Sequence, residues 1–281
     1  MEKSLFCAEL LYYMVVSGYN QGMSIIIDEL KSQANPTQAK NSKRFFKTGK
    51  GEYGEGDGFL GLKVPQIRSV VKKYWKETSL EEAEELLHNK YHEVRLCVLL
   101  ILVKQFQNAS KLPKSHPRTD VSLSNIDIED PINPGFRVKP GMTKVDDRKQ
   151  IFDTYTANAI YINNWDLVDL SAPHIVGAYL EDKPKDLLYE FAKSNNLWQK
   201  RIAILATFYY IYNGEHKETI KIAKILLHDK HDLIHKAVGW MLREVGKRCN
   251  EKILTDFLDE NYQTMPRTML RYAIERLPLH D

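Results

Sequence analysis

A 35-residue repeat constrains this chain most. Three segments share a basic residue followed by a small and apolar run: Arg201-Ile-Ala-Ile-Leu, Lys236-Ala-Val-Gly-Trp and Arg271-Tyr-Ala-Ile-Glu, each 35 residues from the next. One step earlier falls inside Asn163-Asn-Trp-Asp-Leu-Val-Asp169, which departs from the pattern, and Arg95-Leu-Cys-Val-Leu lies 71 residues before position 166. A fixed period of this size means one supersecondary unit that buries its apolar face by stacking on its neighbours.

The unit is helical. Apolar residues recur at spacings of three and four in 65–75, 79–88, 93–106, 149–161, 165–180, 185–193, 198–212, 217–227, 233–248, 251–258 and 266–277, and no segment alternates with period two. Two helices per period predict an all-α chain, an α-solenoid. The expectation is a single domain over 1–281. The gap between Arg95 and the next repeat exceeds one period by 36 residues. Asn108 to Lys144 carries Pro113, Pro117, Pro131, Pro134 and Pro140 with little helical pattern, so 108–144 reads as a flexible insertion looped out between repeats.

Composition narrows the function classes. Hydrophobic residues make up 43% of the 281 and charged residues 27%, enough for a soluble core, and the net charge is only +3, so nucleic-acid binding must come from charge distribution. Cys7, Cys97 and Cys249 are too far apart for a zinc pair and odd in number, which suits a reducing cytoplasm. The apolar run at 10–16 is too short to span a bilayer, and no signal-peptide cleavage site is visible.

Six glycines fall in 45–64, but no Gly-Lys-Ser/Thr closes a phosphate loop and no Gly-x-Gly-x-x-Gly is present. The segment reads as a tight connection in which glycine supplies positive φ, ending where Pro65 starts a helix. DNA contact by Lys47 or Lys50 is a lesser alternative. His231-Asp-Leu-Ile-His235 imitates a zinc-protease helix, but no third ligand is apparent and no metal is expected. No nucleophile elbow or Cys/His pairing is visible.

The departing repeat is the place to look for chemistry. Trp165 and Asp169 are four apart and share a helix face. On spacing alone, a core indole and a surface carboxylate are the plainer readings. Trp240, Arg243 and Lys247 fall at i, i+3 and i+7, a face that suits either DNA backbone tracking or a core tryptophan with solvated cations beside it. Arg201 follows Trp198 by three residues, and the two either face one groove or leave Trp198 in the core. Recurrence of the basic position predicts a stripe of Arg95, Arg201, Lys236 and Arg271 along the concave surface, able to bind a polyanion despite the small net charge.

These blocks carry a resemblance. Phe45-Phe-Lys-Thr-Gly, Gly54-Glu-Gly-Asp and Phe59-Leu-Gly-Leu-Lys-Val-Pro65 resemble the N-terminal signature of the AlkD-type DNA alkylation repair family. Asn164-Trp-Asp-Leu-Val-Asp169, Leu197-Trp-Gln-Lys-Arg-Ile-Ala203 and Lys236-Ala-Val-Gly-Trp-Met-Leu-Arg-Glu244 resemble its later blocks. The similarity runs from about residue 40 to near the C-terminus, interrupted at 108–144. It implies an α-solenoid of HEAT-like repeats forming a curved, C-shaped superhelix with a basic concave surface around duplex DNA, and hydrolysis of the N-glycosidic bond of cationic N3- and N7-alkylated purines. It implies Asp169 as catalytic carboxylate, Trp165 and Trp240 as lesion-side indoles and Arg201 as the phosphate-holding arginine. Arg243 and Lys247 would contact the DNA backbone, with Lys236, Arg95 and Arg271 in the stripe. A monomer without cofactor, acting in the cytoplasm at the nucleoid, is expected. A non-catalytic HEAT-repeat protein that binds structured or damaged DNA is the alternative, and a protein-binding scaffold a third reading.

Overall fold

The computed structural model describes residues 25–109 and 144–277. Cys7, the apolar run at 10–16 and all but the ends of the expected 108–144 insertion lie outside the described residues.

Helices account for the architecture, and among the described residues the only β-type pairing is an isolated bridge between Gly58 and Tyr91. In chain order they are α1 (residues 25–32), α2 (Pro36–Phe45), α3 (Val64–Tyr74), α4 (Leu80–Leu87), α5 (His92–Ala109), α6 (Lys144–Ala157) and α7 (Trp165–Asp169), then a π-helical turn (Pro173–Gly177). There follow α8 (Asp186–Lys193), α9 (Leu197–Ala206), α10 (Phe208–Tyr212), α11 (Lys217–Leu226), α12 (Asp232–Arg248), α13 (Glu251–Asn261) and α14 (Arg267–Ile274).

Local signals set the ends. Ser79 accepts from Glu82 N at the start of α4, Asn196 from Trp198 N and Gln199 N at α9, and Asn250 from Lys252 N at α13. Each supplies an oxygen to amides that have no partner within the helix. α1 and α2 escape the periodicity reading. α2 buries no residue, so its only sequence signals are the Asn35 cap and Pro36 at its start.

The helices stack in two rows. α5, α7, α9, α12 and α14 follow one another side by side, while α4 and α6 back α5, α8 backs α9, and α11 and α13 back α12. This is an α-solenoid, with α5 at its most enclosed point: its apolar residues face all directions and run from Val94 to Phe106 almost without exposure. The repeat is exact in the fold. Arg201, Lys236 and Arg271 each stand fifth in α9, α12 and α14, whose first residues are also 35 apart. Gly239 marks a tight join between α12 and α14. A Cβ there would lie 2.4 Å from the Met269 carbonyl oxygen and 2.6 Å from the Tyr272 Cβ, so only glycine lets α12 and α14 pack this closely.

The glycine-rich connection behaves as a turn-forming segment. Gly51, Gly56 and Gly61 have positive φ. Glu93, itself buried on α5, accepts the amides of Leu60, Gly61 and Leu62 at 2.9, 2.7 and 3.3 Å, which fixes the segment to the core.

Candidate active site and nucleic-acid interface

The departing repeat becomes the short helix α7. Asn164 caps it by accepting from Trp165 N at 2.9 Å, and Trp165 and Asp169 lie one turn apart at its two ends. The Asp169 carboxylate is gripped on both oxygens by Arg201 of α9: Nε donates to Oδ1 and Nη2 to Oδ2, each at 2.8 Å. Arg201 Nη1 donates to the Leu233 carbonyl of α12 at 2.6 Å. One guanidinium thus joins the three helices α7, α9 and α12. The pair sits at the edge of the core, with side-chain exposures of 15% for Asp169 and 5% for Arg201. Burial pushes the Asp169 carboxyl above the ordinary aspartate range, although Arg201 pulls the other way.

Aromatic rings build one wall. Trp165 stacks on Phe46 at a centroid distance of 5.6 Å and meets the edge of Phe45 at 5.9 Å. The glycine-rich segment brings in Tyr53, whose hydroxyl interacts with the Trp165 side chain and feels the charges of Asp166 and Lys236, while its ring meets Trp198 edge-on at 5.9 Å. Trp198 itself is core, 6% exposed. Trp240 is half-buried on α12 and packs on Phe208 at 5.8 Å; it stands two turns beyond Leu233, the residue whose carbonyl Arg201 holds.

Beneath α7 lies a charged cluster. His92 Nε2 bonds Asp166 Oδ2 at 2.8 Å, and its Nδ1 lies 3.8 Å from Asp57 Oδ2. Arg95 reaches Asp57 at 2.8 Å and donates to the Asn89 carbonyl at 2.9 Å. Burial alone would lower the His92 pKa, but Asp166 and Asp57 outweigh it and raise it to about 9. Burial likewise opposes ionisation of Asp57, yet His92 and Arg95 hold it below the ordinary range. The imidazolium therefore ties the glycine-rich segment, α5 and α7 together.

The four basic residues of the predicted stripe divide. Arg95 and Arg201 are 5% and 4% exposed, because each guanidinium is drawn inward to a carboxylate, Asp57 or Asp169. Arg201 donates to both carboxylate oxygens of Asp169. Lys236 is partly exposed and pairs with Asp232 at 2.6 Å, while Arg271 is exposed. On the Trp240 face, Arg243 pairs with Glu275 and Lys247 is exposed. The two histidines of the zinc-like motif do local work: His231 Nδ1 caps α12 at Leu233 N, and His235 bonds the Asp229 carbonyl at 2.6 Å. Among the described residues no group of three His, Cys, Asp or Glu is placed to hold a metal ion, and no helix is long and apolar enough to cross a membrane.

The model of the DNA alkylation repair enzyme family matches residues 26–133 and 139–277. The chain belongs to this family. The match spans both arms of the solenoid and every residue of the site above. A solved structure, a predicted DNA alkylation repair enzyme from Enterococcus faecalis, superposes with a TM-score of 0.62 at 16% identity, over 88% of this chain and 98% of that one. At that identity it bears on the fold alone. No curated protein matches the chain. Within the family member described here, Tyr53, His92, Asp57 and Asp166 are site neighbours that sequence reading did not single out. Asp166 stood beside Trp165 in the departing repeat, and that adjacency was a usable signal; nothing in the sequence marks Tyr53.

Proposed function

We propose that this alkylation repair protein is a DNA glycosylase that hydrolyses the N-glycosidic bond of cationic N3- and N7-alkylated purines in duplex DNA. The observation that carries the proposal is the Asp169 carboxylate, held bidentately at the rim of the core, one turn from Trp165.

The chemistry follows from charge. Alkylation at N3 or N7 makes the purine cationic and hence a ready leaving group. When the bond from C1′ to nitrogen breaks, its electron pair returns to the base, which leaves neutral, and positive charge moves to the deoxyribose. Asp169 then faces an oxocarbenium-like sugar. A carboxylate fixed in advance stabilises that charge without reorganising, the more so where water is scarce. Water adds to C1′ and releases one proton. Trp165 and Trp240 present indole faces whose negative quadrupole favours a cation nearby. Arg201 serves as a positioning residue, holding the carboxylate plane. The base supplies its own activation, so the reaction as written draws on no metal or redox cofactor. On this reading the chain works as a monomer, one continuous solenoid on duplex DNA in the cytoplasm.

The test is base release. Purified protein should free 7-methylguanine or 3-methyladenine from methylated duplex and leave uracil in place, since a neutral base lacks the activating charge. Efficient uracil excision would overturn the mechanism.

A further inference from the structure

α2 carries a charge arrangement unlike the rest of the molecule. Between residues 31 and 51 there are six cations and no Asp or Glu. Lys40, Lys43 and Arg44 follow at i, i+3 and i+4, the spacing of one helix face; Lys47 stands in the turn just beyond the end of α2, with positive φ, and all four are exposed. The opposite face, through Gln38, Ala39, Ser42 and Phe46, is the half-buried one. None of these four cations forms an ion pair among the described residues. Elsewhere many surface cations are paired: Lys149 with Asp153, Lys221 with Glu218, Lys224 with Glu260, Lys252 with Asp256 and Arg248 with Glu244.

Like charges at these spacings destabilise a helix, and α2 has no buried residue to offset them. Such a face is stable company only for an anion. Its position says which one. Phe45, 65% exposed at the end of α2, meets the edge of Trp165 at 5.9 Å, so the basic face adjoins the wall of the candidate site. We infer that α2 and the turn after it form a second backbone-binding edge, whose Lys40, Lys43, Arg44 and Lys47 engage phosphates of the duplex held at Asp169. This rests on the DNA-acting reading above, and extends it to an arm of the solenoid that carries none of the residues assigned there.

The experiment is a salt titration of binding to an unmodified duplex, followed by fluorescence anisotropy. Wild type is compared with Lys43→Gln/Arg44→Gln/Lys47→Gln and with a charge-matched control, Lys193→Gln/Lys217→Gln/Lys252→Gln, whose exposed cations lie on the backing row of helices. Each lost phosphate contact lowers the slope of log K against log salt by about 0.9, so the α2 variant should lose roughly 2 to 3 in slope. The control should lose less than about 1. Equal slopes for wild type and the α2 variant overturn the inference. So does loss of affinity for vesicles of anionic lipid with DNA binding intact, which would give the face another partner. Base release is measured on the same proteins. A slope change with no release by wild type sinks the glycosylase reading and leaves α2 as a DNA surface; release with an unchanged slope does the reverse.

Discussion

The His92 cluster makes stability depend on pH in a defined direction. His92 is 2% exposed and flanked by Asp166 and Asp57, with Arg95 as the one opposing cation. Its pKa rises from 6.5 unfolded to about 9 folded. A raised histidine pKa means the folded state binds the proton more tightly. The stabilisation is therefore complete below pH 6.5 and is lost as pH climbs through 9. At about 1.36 kcal/mol per unit, the shift corresponds to about 3 kcal/mol. For a chain of this size that is on the order of 6 to 12 °C in Tm. The assay is thermal unfolding by circular dichroism at half-unit steps between pH 6 and 10, for wild type and His92→Gln. The buried Cys97 thiol, pushed up to about 12, titrates above this window, as does the Tyr155 phenol, raised further still. Wild type should lose Tm across the window while the variant, lower at pH 6, stays nearly flat. Parallel curves for the two proteins would refute the cluster as the source of the dependence.

Three further outcomes follow from the geometry. Arg201→Lys removes the two-pronged grip on Asp169 and should slow base release about 100-fold; because Arg201 is buried, the salt slope of DNA binding should change by less than about one, whereas a full unit of change would make it a phosphate ligand. Tyr53→Phe keeps the ring against Trp198 but removes the hydroxyl beside Trp165, so single-turnover release should slow roughly tenfold, the scale of one hydrogen bond, with Tm unchanged. Glu93→Gln weakens the acceptor of three buried amides and should cost about 2 to 3 kcal/mol in urea unfolding without altering the shape of the pH–rate profile.

Much of the fold was legible because it is periodic. The fifth-position residues Arg201, Lys236 and Arg271 mark three helices of identical phase, and the 3.6-residue pattern found the helical segments from α3 to α14 within about five residues, but it read 165–180 and 198–212 as unbroken where the structure has α7 with a π-helical turn and α9 with α10. α2 was not legible, because a helix with no buried residue shows no apolar stripe. At the site, the departure of Trp165 and Asp169 from the repeat did point to α7. What sequence could not show was the inward turn of Arg95 and Arg201. Both occupy the basic position of their repeats, just as the exposed Arg271 does, but each meets a carboxylate from a different element, Asp57 or Asp169. Burial was decided by a partner more than 30 residues away in each case, and no local pattern encodes that. Tyr53 was hidden for the same reason: its neighbours Trp165, Trp198 and Lys236 come from three later helices.

The most direct measurement is single-turnover release of 7-methylguanine from a methylated duplex by wild type and Asp169→Asn, with duplex affinity measured in parallel. The variant keeps size and shape but removes the negative charge opposite the sugar. The glycosylase mechanism predicts affinity within about twofold and release slowed by at least about 100-fold. Equal rates of release from the two proteins would contradict it, because the carboxylate would then contribute nothing to breaking the bond.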